Sequence, residues 1–156
     1  EGKYPVIDQG ADFIGGYTDD VSLLFEGSLP VIVFGDHTRI IKFVDQRFAV
    51  GADGVKLLCP TQDVLPRFAY YHLLATTGRL RNRGYARHFS ELCKEKFWIP
   101  DSRTQAKVVD RLDELAGSLD STLRSASRGI RCGEDLRRAL LRAAFAGQLT
   151  KEPVLV

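Results

Sequence analysis

The chain has 156 residues, 44% hydrophobic and 27% charged, with a formal net charge of +2. That size and balance suit one soluble globular domain with a real core. No apolar run approaches a membrane span and no signal peptide opens the chain, so the expected location is cytoplasmic, without membrane contact. Cys59, Cys93 and Cys132 are odd in number and widely spaced, which argues against structural zinc or a disulfide framework and for reduced thiols.

The first hundred residues read as strand-rich. Short β-prone runs occur at Tyr4–Ile7, Val31–Phe34, Arg39–Val44, Phe48–Val50 and Val55–Leu58. Turn residues separate them at Gly15-Gly16, Gly35-Asp36 and Gly51-Ala52-Asp53-Gly54. Spacings this short favour antiparallel or mixed pairing. Asp63 to Thr77 reads as a helix with Asp63 as N-cap, Pro66 in the first turn and Gly78 as the stop. Leu65, Phe68, Ala69, His72 and Ala75 mark its packed face, so His72 is a packing residue rather than a catalytic one. A basic loop at 79–90 precedes a short turn or helix at Ser90–Lys94. Phe97–Ile99 has the composition of a last strand, ended by Pro100.

From Ser102 to Phe145 the pattern becomes helical. Ser102 and Gln105 have capping-box spacing. Positions 108, 112, 115, 119, 122, 126, 129, 133, 136, 140 and 143 then alternate steps of four and three, a coiled-coil-like seam that is strong at both ends and weak in the middle. Gly129 and Gly133 each cost about 1 kcal/mol relative to alanine. One continuous helix is expected, with a break near 128–133 as the alternative. A continuous helix would be roughly 65 Å long and needs a partner for Val108, Leu112, Leu115, Leu119, Leu136 and Leu140. The expected class is therefore α+β: a small mixed-sheet head with short helices over 1–100, a spacer or dimerisation helix over 101–150, and a tail at 151–156.

Charge is distributed unevenly. Residues 1–76 carry a net −4, residues 77–100 a net +4 and residues 101–150 a net +2. A nucleic-acid binder needs a local basic patch more than a basic total. Arg79, Arg81, Arg83, Tyr85, Arg87 and His88 interleave guanidinium groups with an aromatic ring, a set suited to phosphates and base edges. Gly84 would let this loop approach a backbone closely. The competing reading is a solvated charged loop. Asp36-His37-Thr38-Arg39 supplies a second DNA-binding candidate in His37 and Arg39, with a plain hairpin connection as the equal alternative. Tyr17, in the polar loop Tyr17-Thr18-Asp19, is a third.

Signatures of catalysis are missing. The sequence contains no glycine-rich phosphate cradle, GxSxG elbow, HExxH helix or Asn/Asp-Pro-Pro-aromatic methylase motif. His37, His72 and His88 have no metal-ligand spacing with the cysteines. Asp53 and Lys56 only loosely echo a nuclease site. No catalytic residue, metal or cofactor is expected.

Several segments in order resemble specificity subunits of type I restriction–modification systems. They are YPVIDQG at Tyr4–Gly10, Gly16–Asp19, the stretch Pro30–Leu58, Phe68–Leu74 and Gly84–Leu92. Phe97 to Leu115 and Leu136 to Thr150, the latter ending Phe145-Ala146-Gly147-Gln148-Leu149, resemble the segments that bracket the spacer helix of that family. The resemblance implies a head that reads one half of a bipartite double-stranded DNA target. It also implies paired antiparallel helices that fix the distance between halves and dock methyltransferase subunits, and through them the restriction subunit. The specificity subunit itself holds no catalytic group. Three features depart from the family. Asp101-Ser102-Arg103-Thr104 replaces a proline-rich approach to the helix, Cys93 and Glu95 interrupt a more basic stretch, and a single head and helix stand where two sets are usual. The resemblance thus points to a half-subunit or fragment acting as a helix-mediated self-dimer. The alternative is a truncated modulator or assembly module that binds partner subunits without specific DNA recognition.

Overall fold

The computed structural model describes residues 2–51, 54–80, 84, 87–146 and 148–149. In chain order these form β1 (Tyr4–Ile7), β2 (Gly16–Thr18), a single 3-10 turn (Val21–Leu23), β3 (Val31–Gly35), β4 (Ile41–Val44), β5 (Ala49–Val50), β6 (Val55–Leu58), α1 (Pro66–Arg79), α2 (Phe89–Leu92) and α3 (Ser102–Phe145). This is the α+β arrangement expected. The chain divides into two compact units, Glu1–Arg111 and Leu112–Val156.

The first unit contains two three-stranded sheets, ordered β2-β1-β5 and β4-β3-β6. The first sheet is mixed: β1 runs antiparallel to β2 and parallel to β5. The second is wholly antiparallel, with Val33 opposite Lys42 on one side and Leu57 on the other. Every residue of β3 is buried. Its alternate side chains serve two cores, because successive residues of a strand point to opposite faces. Val31 and Val33 pack with Val44, Ile7 and Phe48 between the sheets. Ile32 and Phe34 pack with Ile41, Leu73 and Leu92 beneath α1 and α2. A central strand covered on both faces has no need of polar alternation, which is why Val31-Ile32-Val33-Phe34 is a continuous apolar run.

Several boundaries differ from the sequence expectation. β4 begins at Ile41, not Arg39, because Arg39 sits at φ 61 in the hairpin turn. Gly16–Thr18, expected as turn and loop, is the edge strand β2. Asp63 is not the N-cap of α1. Leu65 is, with Pro66 at the first helical position, where a missing N–H costs nothing. Gly78 does not stop α1, which runs through it to Arg79. Phe97–Ile99 forms no strand. The two rings lie against α1 while staying exposed, the Phe97 ring centroid 4.5 Å from that of His72 and Trp98 6.5 Å from Phe68.

The start of α3 also corrects the sequence reading. The cap is Asp101: its carboxylate accepts the Thr104 N–H at 3.0 Å and the Thr104 hydroxyl at 2.7 Å. Gln105 does not reach back to Ser102. It is fully buried, and its carbonyl accepts the Leu65 N–H at 2.8 Å. Its amide donates to the Asp63 and Pro100 carbonyls, each at 2.8 Å. One amide therefore fastens the first turn of α3, the approach to it and the start of α1.

Within the second unit α3 is a single uninterrupted helix through Gly129 and Gly133. From Leu115 onward its large apolar side chains are open to solvent, with Leu119 at 65%, Leu136 at 60% and Leu140 at 50% exposure, whereas Val108 and Leu112 of the expected seam are half-buried. Arg124 pairs with Asp120 at 2.6 Å and Arg138 with Asp135 at 2.7 Å. Exposed pairs of this kind contribute only a few tenths of a kcal/mol. Among the described residues no helix is long and apolar enough to cross a membrane.

Candidate nucleic-acid interface

The hairpin between β3 and β4 organises the candidate site. Its backbone closes with Arg39 N–H donating to Gly35 O and Gly35 N–H to Ile40 O, both at 2.8 Å. A residue with φ near +60° is uncommon outside glycine and asparagine, so Arg39 takes that conformation because the hairpin is held on all sides. Thr38 donates its hydroxyl to the Gln9 carbonyl at 2.7 Å, and His37 N–H donates to Gln9 Oε1 at 3.2 Å. Asp36 N–H donates to Gly54 O at 2.8 Å. Gly54 itself has φ +92, a conformation open to glycine.

This hairpin holds both ends of the basic loop. At the near end Arg39 Nη1 donates to the Leu80 carbonyl at 2.7 Å. At the far end the buried Asp36 accepts two backbone N–H groups: its carboxylate takes that of Phe89 at 2.8 Å and its carbonyl that of His88 at 2.9 Å. His88 Nδ1 lies 3.0 Å from that same carbonyl. A carbonyl only accepts, so Nδ1 carries the ring proton. Nε2 has no hydrogen-bond partner among the described residues.

The expected DNA-contacting residues therefore fall into distinct groups. Arg79, in the last turn of α1, and Arg87 are exposed at either end of the loop. Gly84, between them, has φ +68, a conformation open to glycine. Arg81, Arg83 and Tyr85 lie outside the described residues, as does the tail at 151–156. His37 and Arg39 are half-buried on the hairpin beside the loop. His88 is corrected: at 1% exposure its ring is an anchor inside the fold and reaches no ligand from there. Tyr17, 57% exposed, stands on β2 in the other sheet.

Two arrangements have no counterpart in the sequence reading. Lys42 on β4 is only 4% exposed, and its ammonium donates to the Asp12 carbonyl at 2.6 Å and to Asp8 at 3.4 Å. The Asp8 carboxyl is held below its usual range, chiefly by the Gly10 N–H at 2.8 Å, against the opposing effect of burial and with help from Lys42. The signal was present in Ile-Ile-Lys-Phe-Val, where Lys42 falls on the same strand face as the buried Val44. The other arrangement is an apolar groove of about 430 Å³ between α1 and β6, walled by Ile32, Leu57, Phe68, Leu73 and Phe97, with His72 on its rim. It offers no fixed charge to a polyanion. Among the described residues no cluster of His, Cys, Asp or Glu is arranged to hold a metal.

Over 120 residues the chain is 28% identical to the type I restriction enzyme EcoR124I/EcoR124II specificity subunit of Escherichia coli. The chain is similar to a restriction specificity subunit. The matched region covers 74% of this chain and 30% of that protein, so the chain spans about a third of the length of its relative. No family model and no solved structure matches.

Proposed function

We propose that this chain is a DNA-recognition component of a type I restriction–modification assembly. The observation that carries the reading is the 120-residue similarity to a specificity subunit, which extends over most of a chain with a small mixed head and a single 44-residue helix. In this reading the loop at 79–88, with Arg79, Arg81, Arg83, Tyr85 and Arg87, meets one half of a DNA target, flanked by His37 and Arg39 on the hairpin, with Tyr17 on β2 as a separate contact. The exposed apolar residues of α3 dock a methyltransferase subunit and pair two copies of the chain. Catalysis belongs to the partners, and this chain contributes sequence selection and spacing.

The deciding assay is methyl transfer to a random-sequence DNA pool by a cognate methyltransferase subunit, with and without this chain. Sequence-dependent methylation that needs the chain is the expected result, and a half-target appearing twice and inverted would match two identical heads in one dimer. Methylation or cleavage by the chain alone would overturn the non-catalytic assignment. A complex that forms and methylates nothing would favour the modulator, a reading that gains some support from the structural use of His88 and of one Arg39 nitrogen.

A further inference from the structure

The second unit holds a basic surface distinct from both the recognition loop and the apolar seam. From Leu112 to Phe145 every basic residue is an arginine: Arg124, Arg128, Arg131, Arg137, Arg138 and Arg142. At about 100° per residue, all of these except Arg137 fall within about 40° of one line along α3. Leu119, Leu136 and Leu140 lie at least about 120° away from that line on the same geometry. The helix is thus two-faced, with apolar residues on one side and a comb of five arginines on the other, all exposed.

We infer that this arginine comb is a sequence-independent contact for the sugar-phosphate backbone of duplex DNA, an inference that rests on DNA being the ligand of the protein. The chemistry supports a phosphate partner. Guanidinium groups present a planar fork of donors to phosphate and remain charged under all working conditions, whereas a merely solvated face has no reason to exclude lysine. Two carboxylates share the stripe, Asp120 and Asp135, and are engaged by Arg124 and Arg138. Arg128, Arg131 and Arg142 have no carboxylate within ion-pair distance among the described residues. Arg124, Arg128 and Arg131 also wall a common recess with Leu123 and Ser127. On the line itself no position between Asp120 and Arg142 is aromatic or branched aliphatic, Leu123 standing about 100° to one side, and a protein partner would want such an anchor at its centre. The comb spans about 27 Å at 1.5 Å per residue. That is less than one DNA turn of roughly 34–36 Å, so a straight helix can follow one side of a duplex without wrapping it.

The test measures affinity of the full chain for a random-sequence duplex longer than one helical turn, across a salt series. In R128Q/R131Q/R142Q the log–log salt slope should fall by about 2.7, at about 0.9 per neutralised phosphate, and affinity should weaken equally for preferred and non-preferred sequences. Arginine and glutamine have similar helix propensity, and circular dichroism checks that helicity is kept. R128K/R131K/R142K, which keeps the charge, should retain most of the slope. An unchanged slope in the glutamine variant overturns the inference, as does an equal loss in both variants, which would trace to helix damage. Loss of binding to the methyltransferase subunit with DNA binding intact would assign the comb to an acidic protein surface and equally refute it. If the wild type binds all sequences alike while the glutamine variant loses slope, the recognition reading fails and the comb stands. If sequence preference persists and the glutamine variant is silent, the reverse holds. A wild type that binds no duplex sinks both.

Discussion

Replacing Gln105 with leucine removes three hydrogen bonds while roughly keeping side-chain volume. The amide is fully buried and satisfied by Leu65 N–H, Asp63 O and Pro100 O, each at 2.8 Å. A net hydrogen bond contributes about 0.5–1.5 kcal/mol, and a buried group left unsatisfied costs about 1–3 kcal/mol. Leu65 and Asp63 are themselves exposed, so water can replace part of what those backbone groups give up. The expected destabilisation of Gln105→Leu is therefore roughly 2–4 kcal/mol. It should appear in urea unfolding as a lower midpoint at unchanged slope, because the surface exposed on unfolding is unaltered. Amide exchange gives a second, local readout: Leu65 N–H should lose protection more than amides of β3. A change below about 0.5 kcal/mol, the size of an ordinary surface substitution, would refute the view that this amide joins α1 to the start of α3.

Other substitutions probe separate parts of the molecule. Asp36→Ala should cost about 1.5–3 kcal/mol, the range for a hydrogen bond to a charged group, and hydrogen exchange should show Phe89 N–H unprotected. In Lys42→Met the Asp8 carboxyl should titrate higher than in the wild type by NMR, while staying below its usual range because the Gly10 N–H remains. Since the Asp8 pKa is depressed in the folded state, its contribution is present above the unfolded value and is lost as pH falls through the folded one. The acid limb of the stability profile should therefore be shallower in Lys42→Met. Arg81→Ala/Arg83→Ala should lower the salt slope of DNA binding by about 0.9 for each phosphate no longer neutralised; an unchanged slope would make the loop a solvated turn. Leu112→Glu/Leu119→Glu should convert a sedimenting dimer to monomer, and a wild type already monomeric at high concentration would remove the seam from the assembly.

The elements most legible in the sequence were those fixed by local pattern. Val31–Phe34 is a buried central strand, and Ser102–Phe145 keeps its helix despite three glycines, Gly117, Gly129 and Gly133. Features set by distant partners were less legible. Phe97-Trp98-Ile99 has strand composition, but its rings found His72 and Phe68 in place of a neighbouring strand. In Asp101-Ser102-Arg103-Thr104-Gln105 two overlapping caps are possible, and the choice fell to Asp101 because Gln105 was drawn into the interior by α1. Pro66 did carry a readable signal, since proline at the first helical position puts the cap at Leu65. For the candidate interface, sequence named Arg79, Arg87 and His88 together but could not separate the two exposed arginines from a histidine turned inward by the Asp36 carbonyl.

The Asp36 hairpin has a consequence for how recognition could diversify. Leu80 is moored by Arg39, and His88 and Phe89 are moored by Asp36, so both moorings belong to the same short turn. Residues between them can be exchanged, or their number altered, without disturbing either post. The entropy of closing such a loop changes only slowly with its length, by about 0.6 kcal/mol per doubling. On the recognition role proposed above, new specificities would be drafted within a single span of the chain while the surrounding sheets stay as they are.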